Sequence, residues 1–355
     1  MSEPLSYYRH EEYITDHIGS WPEWRMRQAQ TIQAQYETPS EPIDGFAVVP
    51  VDTTSETLKT LDHTLEQYVN SPLTSCTWPI AFYFNYPSGH EAASKKAQEM
   101  ERMVGQVSES TVAIHALQWA YDQPVTMGRI RSDGLDQAML HPGKPWLYGG
   151  YDVDLDALAP GYFDTITEAA RHELSKIFFT SELRWGVHGD SLPVRIMQYR
   201  AWLRKACHSP HLATDANAVI RVDKCAVVGG FDHHVDVAIE SETANLSRRC
   251  REKFGEDILH FVDGVPLTTN PRRLYAAIAA GRAPHTATKT GHFGTHSDEG
   301  NIRSTGLDPD TITLDPKKLS SLLSEMDDFH AEKLHLYEVS AEQMKAAKRS
   351  LGLVT

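Results

Sequence analysis

Short apolar runs alternate with amphipathic segments along the first part of the chain. The runs at 46–51, 79–84 and 110–115 are almost continuously apolar, which is typical of strands buried on both faces. Between them, apolar residues recur at helical spacing over 57–68 and 91–104. This order predicts a β-α-β-α-β unit. Such a unit favours an α/β fold with a mostly parallel sheet and helices on both faces.

The pattern continues into the second half of the chain with longer helical segments. Further elements are predicted as a helix at 129–139, a strand at 145–151, helices at 161–178 and 191–208, a short strand or turn within 218–229, and helices at 241–254, 316–333 and 340–350. The domain division predicted from this is an N-terminal extension over 1–43, a catalytic domain over 44–282 with halves 44–156 and 157–282, a mobile loop over 283–306 and a helical extension over 307–355.

Composition narrows the class of protein. The chain has 355 residues, 41% of them apolar, and a formal net charge of −14, which gives a nucleic-acid partner little electrostatic support. The four cysteines lie far apart with no CxxC pair, as is typical of reduced thiols in the cytoplasm. The first residues lack the pattern of a signal peptide, and no apolar stretch has the ~18 residues needed for a membrane span. We therefore expect a cytoplasmic enzyme.

An acidic triplet follows the predicted strand at 145–151. Asp152, Asp154 and Asp156 would lie at the carboxyl edge of the sheet, where α/β proteins bind their ligands. Carboxylates there can hold Mg²⁺ or Mn²⁺ together with phosphate oxygens. The same residues are also typical of an acidic turn that caps a helix. Asp152 with Asp154 is the preferred metal pair, and Asp154 with Asp156 is the alternative.

Four later motifs give the triplet its context. They are TDANAVIR at 214–221, VGGFD at 228–232, ESETANLSRR at 240–249 and PLTTNPRRL at 266–274. In this order and spacing they resemble glycosyltransferase family 2, over roughly residues 45–275. The resemblance implies a GT-A (Rossmann-like) fold with a nucleoside-diphosphate sugar as donor. It also implies a divalent cation, Mg²⁺ or Mn²⁺, and a small-molecule or glycan acceptor.

The resemblance also implies roles for individual positions. The residues implied to bind the nucleotide are Pro50, Asp52, Asn85, Arg129, Asp133 and Asp152. Gly229 and Gly230 would let the backbone pass close to the donor sugar or the acceptor. Arg273 is a candidate phosphate ligand, and His292 in the predicted mobile loop is a candidate third metal ligand.

The predicted general base is Glu242 or Glu240, which would take the proton of the acceptor hydroxyl in an inverting transfer. Thr243 stands where the family often carries the base itself. This departure leaves open a retaining mechanism or a catalytically inactive relative that binds nucleotide-sugars. A metal-dependent nucleotidyltransferase is a further alternative, although the loop after the first strand reads PVDTT rather than Gly-rich and basic.

Two further expectations concern acceptors and assembly. Trp185, Tyr199, Arg200 and Trp202 could form an acceptor wall, because aromatic faces stack on sugar rings, or they could pack in a core. The terminal extensions are consistent with a homodimer.

Overall fold

The computed structural model describes residues 42–71, 73–107, 114–122, 125–187, 189–207, 217–232, 242–284 and 308–354, with isolated positions between 19 and 34. Two compact units emerge. The first takes in the described residues of 1–184 and 213–269, and the second takes in those of 185–212, 270–291 and 297–355. The domain division expected from the sequence stays a prediction. None of the described helices has the length and apolar character needed to cross a bilayer.

An eight-stranded sheet forms the centre of the first unit. Its strands are β1 (Gly45–Asp52), β2 (Ile80–Pro87), β3 (Ile114–Tyr121), β4 (Leu147–Gly150), β5 (Leu155–Leu158), β6 (Phe178–Trp185), β7 (Val219–Arg221) and β8 (Leu259–Thr269). The spatial order is β3-β2-β1-β4-β7-β6-β8-β5. β1 pairs in parallel with β2 and β4, and β2 pairs in parallel with β3.

Helices of the first unit cover the sheet on both faces. They are α1 (Leu58–Val69), α2 (Glu91–Val107), α3 (Met127–Leu140), α4 (Tyr162–His172), α6 (Val222–Val227) and α7 (Glu242–Phe254). Alternate residues of β1 enter opposite cores. Val49 packs in the core that includes residues of α1, α2 and α4, while Val48 packs with residues of α3, α6 and α7. The predicted α/β class, with a mostly parallel sheet flanked by helices, is confirmed.

The second unit is helical in its described part. It contains α5 (Leu192–Ala206), α8 (Arg272–Ala279), α9 (Pro316–Leu336) and α10 (Ala341–Ser350), whose apolar faces share one core. Buried Tyr199 donates from its hydroxyl to Asp327 at 2.6 Å, and Lys348 pairs with the same carboxylate. Tyr199 is therefore a core residue rather than part of an exposed acceptor wall. Trp202 stacks on it, with ring centroids 5.8 Å apart.

Two predicted elements and the strand pairing need correction. The helix predicted over 161–178 ends at His172, and a turn over 173–176 leads into β6, which the sequence analysis did not anticipate. The third strand runs over Ile114–Tyr121, beyond the predicted end at 115, because its mixed polar residues hide it from an apolar-run criterion. The sheet also gains antiparallel pairs, since β7 pairs with β4 and β6, and β5 pairs with β8.

Candidate active site

Helix α3 carries an unusual set of buried polar residues. Thr126 caps its first turn by accepting a hydrogen bond from the Arg129 amide at 3.2 Å. Every residue from Ile130 to Met139 is buried, although an ordinary surface helix buries only one stripe. The buried polar members are Arg131, Ser132, Asp133, Asp136 and Gln137. Buried polar groups need partners, so α3 is organised around specific contacts rather than around apolar packing alone.

The first of these contacts joins α3 to β2 and β3. The Arg129 guanidinium lies 2.9 Å from Asp133, one turn along the helix. Asp133 also accepts from the Tyr121 hydroxyl at 2.7 Å, and Tyr121 bonds to the hydroxyl of Tyr83 at 3.0 Å. Burial, followed by the neighbouring Tyr83 and Asp133, raises the pKa of Tyr121 well above its usual value. The predicted pair Arg129 and Asp133 is thus brought together, with Asp133 inside the protein and Arg129 nearer the surface.

The second contact joins α3 to the end of β4. Arg131 is only 3% exposed, and its Nη2 lies 3.7 Å from Oδ1 of Asp152, which is 25% exposed. A Cβ at Gly150 would come within 2.8 Å of Arg131 Nη1, so the guanidinium passes close to the strand end. The sequence analysis did not select Arg131. The sequence feature that could have indicated it is a second arginine two residues after Arg129.

The three carboxylates of the acidic triplet point to different neighbours. Asp154 is 6% exposed and accepts from Thr269 Oγ1 at 3.2 Å. Asp156 lies 3.7 Å from Nε2 of His63 in α1. The metal pairs expected from the sequence, Asp152 with Asp154 or Asp154 with Asp156, stay predictions. Within the described ranges, no three histidine, cysteine or acidic residues cluster as a metal site would require.

A divalent cation still fits the edge of β4 through one residue. Asp152 is partly exposed and follows β4 closely in the chain, and hard cations accept a single protein carboxylate when phosphate oxygens and water complete the shell. His292, the predicted third ligand, lies outside the described residues.

The GGFD turn follows α6 and is held by an arginine. Gly229 and Gly230 have φ values of 86° and 67°, a left-handed conformation that glycine adopts without strain. Arg249 of α7 donates to the carbonyls of Val228 and Gly230, and to Asn245 Oδ1 at 2.9 Å. The turn is thereby fixed against α7. In the sequence Arg249 is notable only as the last residue of the ESETANLSRR motif, and this role was not predicted.

The start of α7 meets the start of α3. A Cβ at Gly128 would lie 2.4 Å from the carbonyl oxygen of Asp232 and 3.2 Å from Cγ of Glu242. Glu242 is 5% exposed. Beside this contact is a narrow recess, lined by Arg131, Tyr148, Gly150, Ala218, Ile220, Phe231 and Thr243. A cation, a carboxylate at the edge of β4 and the first residues of α7 therefore share one neighbourhood.

The other predicted nucleotide residues occupy the ends of β1 and β2. Asp52 and Asn85 are paired across these strands, as expected for adjacent parallel strand ends. The Asp52 carboxylate accepts from Thr54 and Ser55, which closes a tight turn. Pro50 is buried inside β1. Glu240 and the side chain of Arg273 lie outside the described part of the chain.

Comparison with known proteins was made at three levels. No protein-family model matches the chain, and no curated protein matches it. Among solved structures, a mannosyltransferase from Pyrobaculum calidifontis in complex with GDP-Man and Mn²⁺ is similar at 11% identity and a TM-score of 0.44. That match covers 97% of each chain.

A glucosyl-3-phosphoglycerate synthase from Mycobacterium tuberculosis, in complex with Mn²⁺, UDP and glucosyl-3-phosphoglycerate, is similar at 11% identity and a TM-score of 0.36. That match covers 70% of this chain and 76% of the synthase. Because identities and TM-scores are this low, the function has to be inferred from the residues of the chain itself.

Proposed function

We propose that this chain is a GT-A type glycosyltransferase that moves a sugar from a nucleoside-diphosphate sugar to an acceptor hydroxyl. One observation carries the proposal. Buried Arg131 faces the partly exposed carboxylate of Asp152 at the carboxyl end of a parallel strand, beside the start of α7. Ligands of open α/β sheets bind at this edge. A guanidinium and a carboxylate there suit a diphosphate that arrives with a cation.

Arg131 and Arg129 would bind the donor. Both guanidinium groups are anchored by acidic partners on or near α3, so they are held in place before the donor arrives. Preorganised cations stabilise the charge that develops on a leaving diphosphate more than mobile ones do. Asp152 would hold Mg²⁺ or Mn²⁺, which supplies further neutralisation of the leaving diphosphate when bound.

Glu242 is the proposed general base. In an inverting transfer its carboxylate takes the acceptor proton while the hydroxyl oxygen bonds to the anomeric carbon and the diphosphate departs with the bonding electron pair. Its position beside Gly128 supports this role, because it lies next to the donor-binding start of α3. Glu240 is the alternative base. A retaining transfer and an inactive nucleotide-sugar-binding relative remain the competing proposals.

The nucleotidyltransferase alternative loses support from the loop after β1. Enzymes of that class cradle phosphates with a Gly-rich, basic loop. Here the turn after β1 is closed by the Asp52 carboxylate, which accepts from Thr54 and Ser55 and places negative charge where phosphates would lie. The homodimer and the cytoplasmic location remain predictions from the sequence.

A thermal-shift screen tests the donor proposal. UDP, GDP, dTDP, CDP and ADP are each added with and without Mn²⁺. A ligand at one hundred times its dissociation constant stabilises the folded state by ~2.7 kcal/mol. We expect one diphosphate to stabilise the wild type only with metal, Asp152→Asn to abolish that effect, and Asp156→Asn to retain it. Stabilisation by no diphosphate, or equal loss in both variants, would overturn the proposal.

A second experiment separates an active enzyme from an inactive relative. The purified chain is incubated with the sugar form of the diphosphate that binds, and release of free diphosphate is followed. We expect release in the wild type and a loss of at least ~100-fold in Glu242→Gln, with diphosphate binding retained. Binding without any release would identify the chain as an inactive relative.

A further inference from the structure

Two arginines on α5 of the second unit share one face of the helix. Arg200 and Arg204 are four residues apart, a spacing that places side chains next to each other. The Arg200 guanidinium also lies over the ring of Trp185, 5.6 Å from its centroid. Burial, followed by the charge of Arg204, lowers the pKa of Arg200 to about 10, and burial lowers that of Arg204. The pair therefore concentrates positive charge on one partly buried face of α5.

The charge of this pair is not balanced within the described residues. There, neither guanidinium makes an ion pair or donates a hydrogen bond to a carboxylate or carbonyl oxygen. Other cations of the same unit are engaged: Lys348 pairs with Asp327, and Arg195 donates to the carbonyl of Gly352 at 3.0 Å. Two neighbouring like charges on one helix face repel each other, so an arriving anion gains from both of them.

Helix electrostatics explain only part of this arrangement. A cation in the last turn of a helix interacts favourably with the helix dipole, which accounts for Arg204. Arg200 lies more than a turn before the end of α5, where that effect has faded. The contact of its guanidinium with the Trp185 ring is a cation–π contact, which does not use the hydrogen-bond donors.

We propose that Arg200 and Arg204 form an anion-binding site for an acceptor that carries a phosphate or carboxylate group, with Trp185 beside it as an aromatic platform. Only the identification of the bound anion as the acceptor rests on the proposed function. Binding of the anion itself requires neither donor nor turnover. The site would make the acceptor an acidic small molecule rather than a neutral glycan.

Isothermal titration calorimetry on the full chain, without donor, tests the site. The probes are glucose 6-phosphate, glucuronate and neutral glucose, so phosphate and carboxylate are distinguished. We expect one charged probe to bind the wild type at least ~10-fold more tightly than glucose, as charge-assisted hydrogen bonds imply. Arg204→Gln should lose that preference, and Arg204→Lys should keep part of it. Lys205→Gln, an exposed cation one residue along, should leave it unchanged.

Three results would overturn the anion site: no preference for either charged probe in the wild type, an equal loss in Lys205→Gln, or full binding by Arg204→Gln. Arg200→Gln provides an independent variant should Arg204→Gln not fold. The Mn²⁺-dependent diphosphate screen reports on Asp152 in the first unit. Failure of the donor proposal and failure of this one therefore appear in different experiments.

Discussion

The hydrogen bonds and ion pairs of the polar side chains distinguish those proposed to meet a ligand from those that hold other side chains in place. Asp133 is fully enclosed and restrains Arg129, and Asp154 is enclosed against Thr269. Asp152 is the member of the acidic triplet that combines exposure with a cationic neighbour on α3. Binding at the edge of β4 should consequently depend on Asp152 and Arg131 far more than on Asp154.

Replacing Arg131 with glutamine should weaken binding of the stabilising diphosphate by ~10-fold or more, because a charge-assisted hydrogen bond contributes about 1.5–3 kcal/mol. Titration calorimetry measures the change. Arg102→Gln, which alters an exposed arginine of α2, is the matched control and should bind normally. Equal affinities in the wild type and Arg131→Gln would place the diphosphate elsewhere.

His141 should make stability depend on pH. Burial, followed by the charge of His115, lowers its pKa to about 4, and its Nδ1 accepts from the Gly143 amide at 3.0 Å. The folded state therefore binds its proton less readily than the unfolded state, where the pKa is about 6.5. Stability is full above pH 6.5 and falls as the pH drops toward 4, by an amount on the order of 3 kcal/mol.

Urea unfolding between pH 4 and 7 measures this dependence. His141→Gln should flatten the curve over that window, while replacement of the exposed His172 should not. An unchanged slope in His141→Gln would show that other groups cause the loss of stability.

Among the elements, the contact between the first turns of α3 and α7 joins the two sides of the candidate site. Gly128→Ala would force a Cβ to within 2.4 Å of the Asp232 carbonyl oxygen, so we expect a loss of ~1–3 kcal/mol in the free energy of unfolding and weaker diphosphate binding. Gly105→Ala in α2 meets nothing within 4 Å and should stabilise the chain by up to ~1 kcal/mol. Chemical denaturation compares the two, and a neutral Gly128→Ala would argue against the close contact.

Arg221 closes the carboxyl end of α4 from a distant strand. Its guanidinium donates to the carbonyls of Ala170, Glu173 and Lys176, and burial lowers its pKa. Arg221→Met should cost ~3 kcal/mol of stability, because buried carbonyl oxygens lose charged donors. Arg248→Gln, which removes an exposed helical ion pair, should stay within ~0.5 kcal/mol. Similar values for both, from urea unfolding, would contradict the capping role.

The elements also show what an apolar pattern can and cannot predict. β1, β2 and β4 are predictable because strands buried on both faces read as continuous apolar runs. β6 was not predicted because its apolar residues follow α4 after a short turn. In the sequence, the start of this strand is read as the end of one long helix over 161–178. Arg131 was not predicted because its position in the candidate site depends on the close approach of Gly150, a tertiary contact that local spacing does not reveal.

On the scale of the whole molecule, the residues proposed to bind the donor and those proposed to bind the acceptor belong to different compact units. The first unit holds the sheet and the neighbourhood of Arg131, Asp152 and Glu242, and the second holds α5 with Arg200 and Arg204. Residues 185–207, which fall within the range 44–282 expected for the catalytic domain, belong to the second compact unit, and the domain division itself stays a prediction. Substitutions in one unit are therefore expected to affect one ligand and leave the other unchanged.

The most direct test of the donor site is a crystal structure of the chain with the stabilising diphosphate and Mn²⁺, recorded at a wavelength that reveals manganese. We predict anomalous density beside the Asp152 carboxylate, with the diphosphate between it and the guanidinium of Arg131. Manganese bound between Asp154 and Asp156, or a diphosphate bound away from the end of β4, would contradict the assignment.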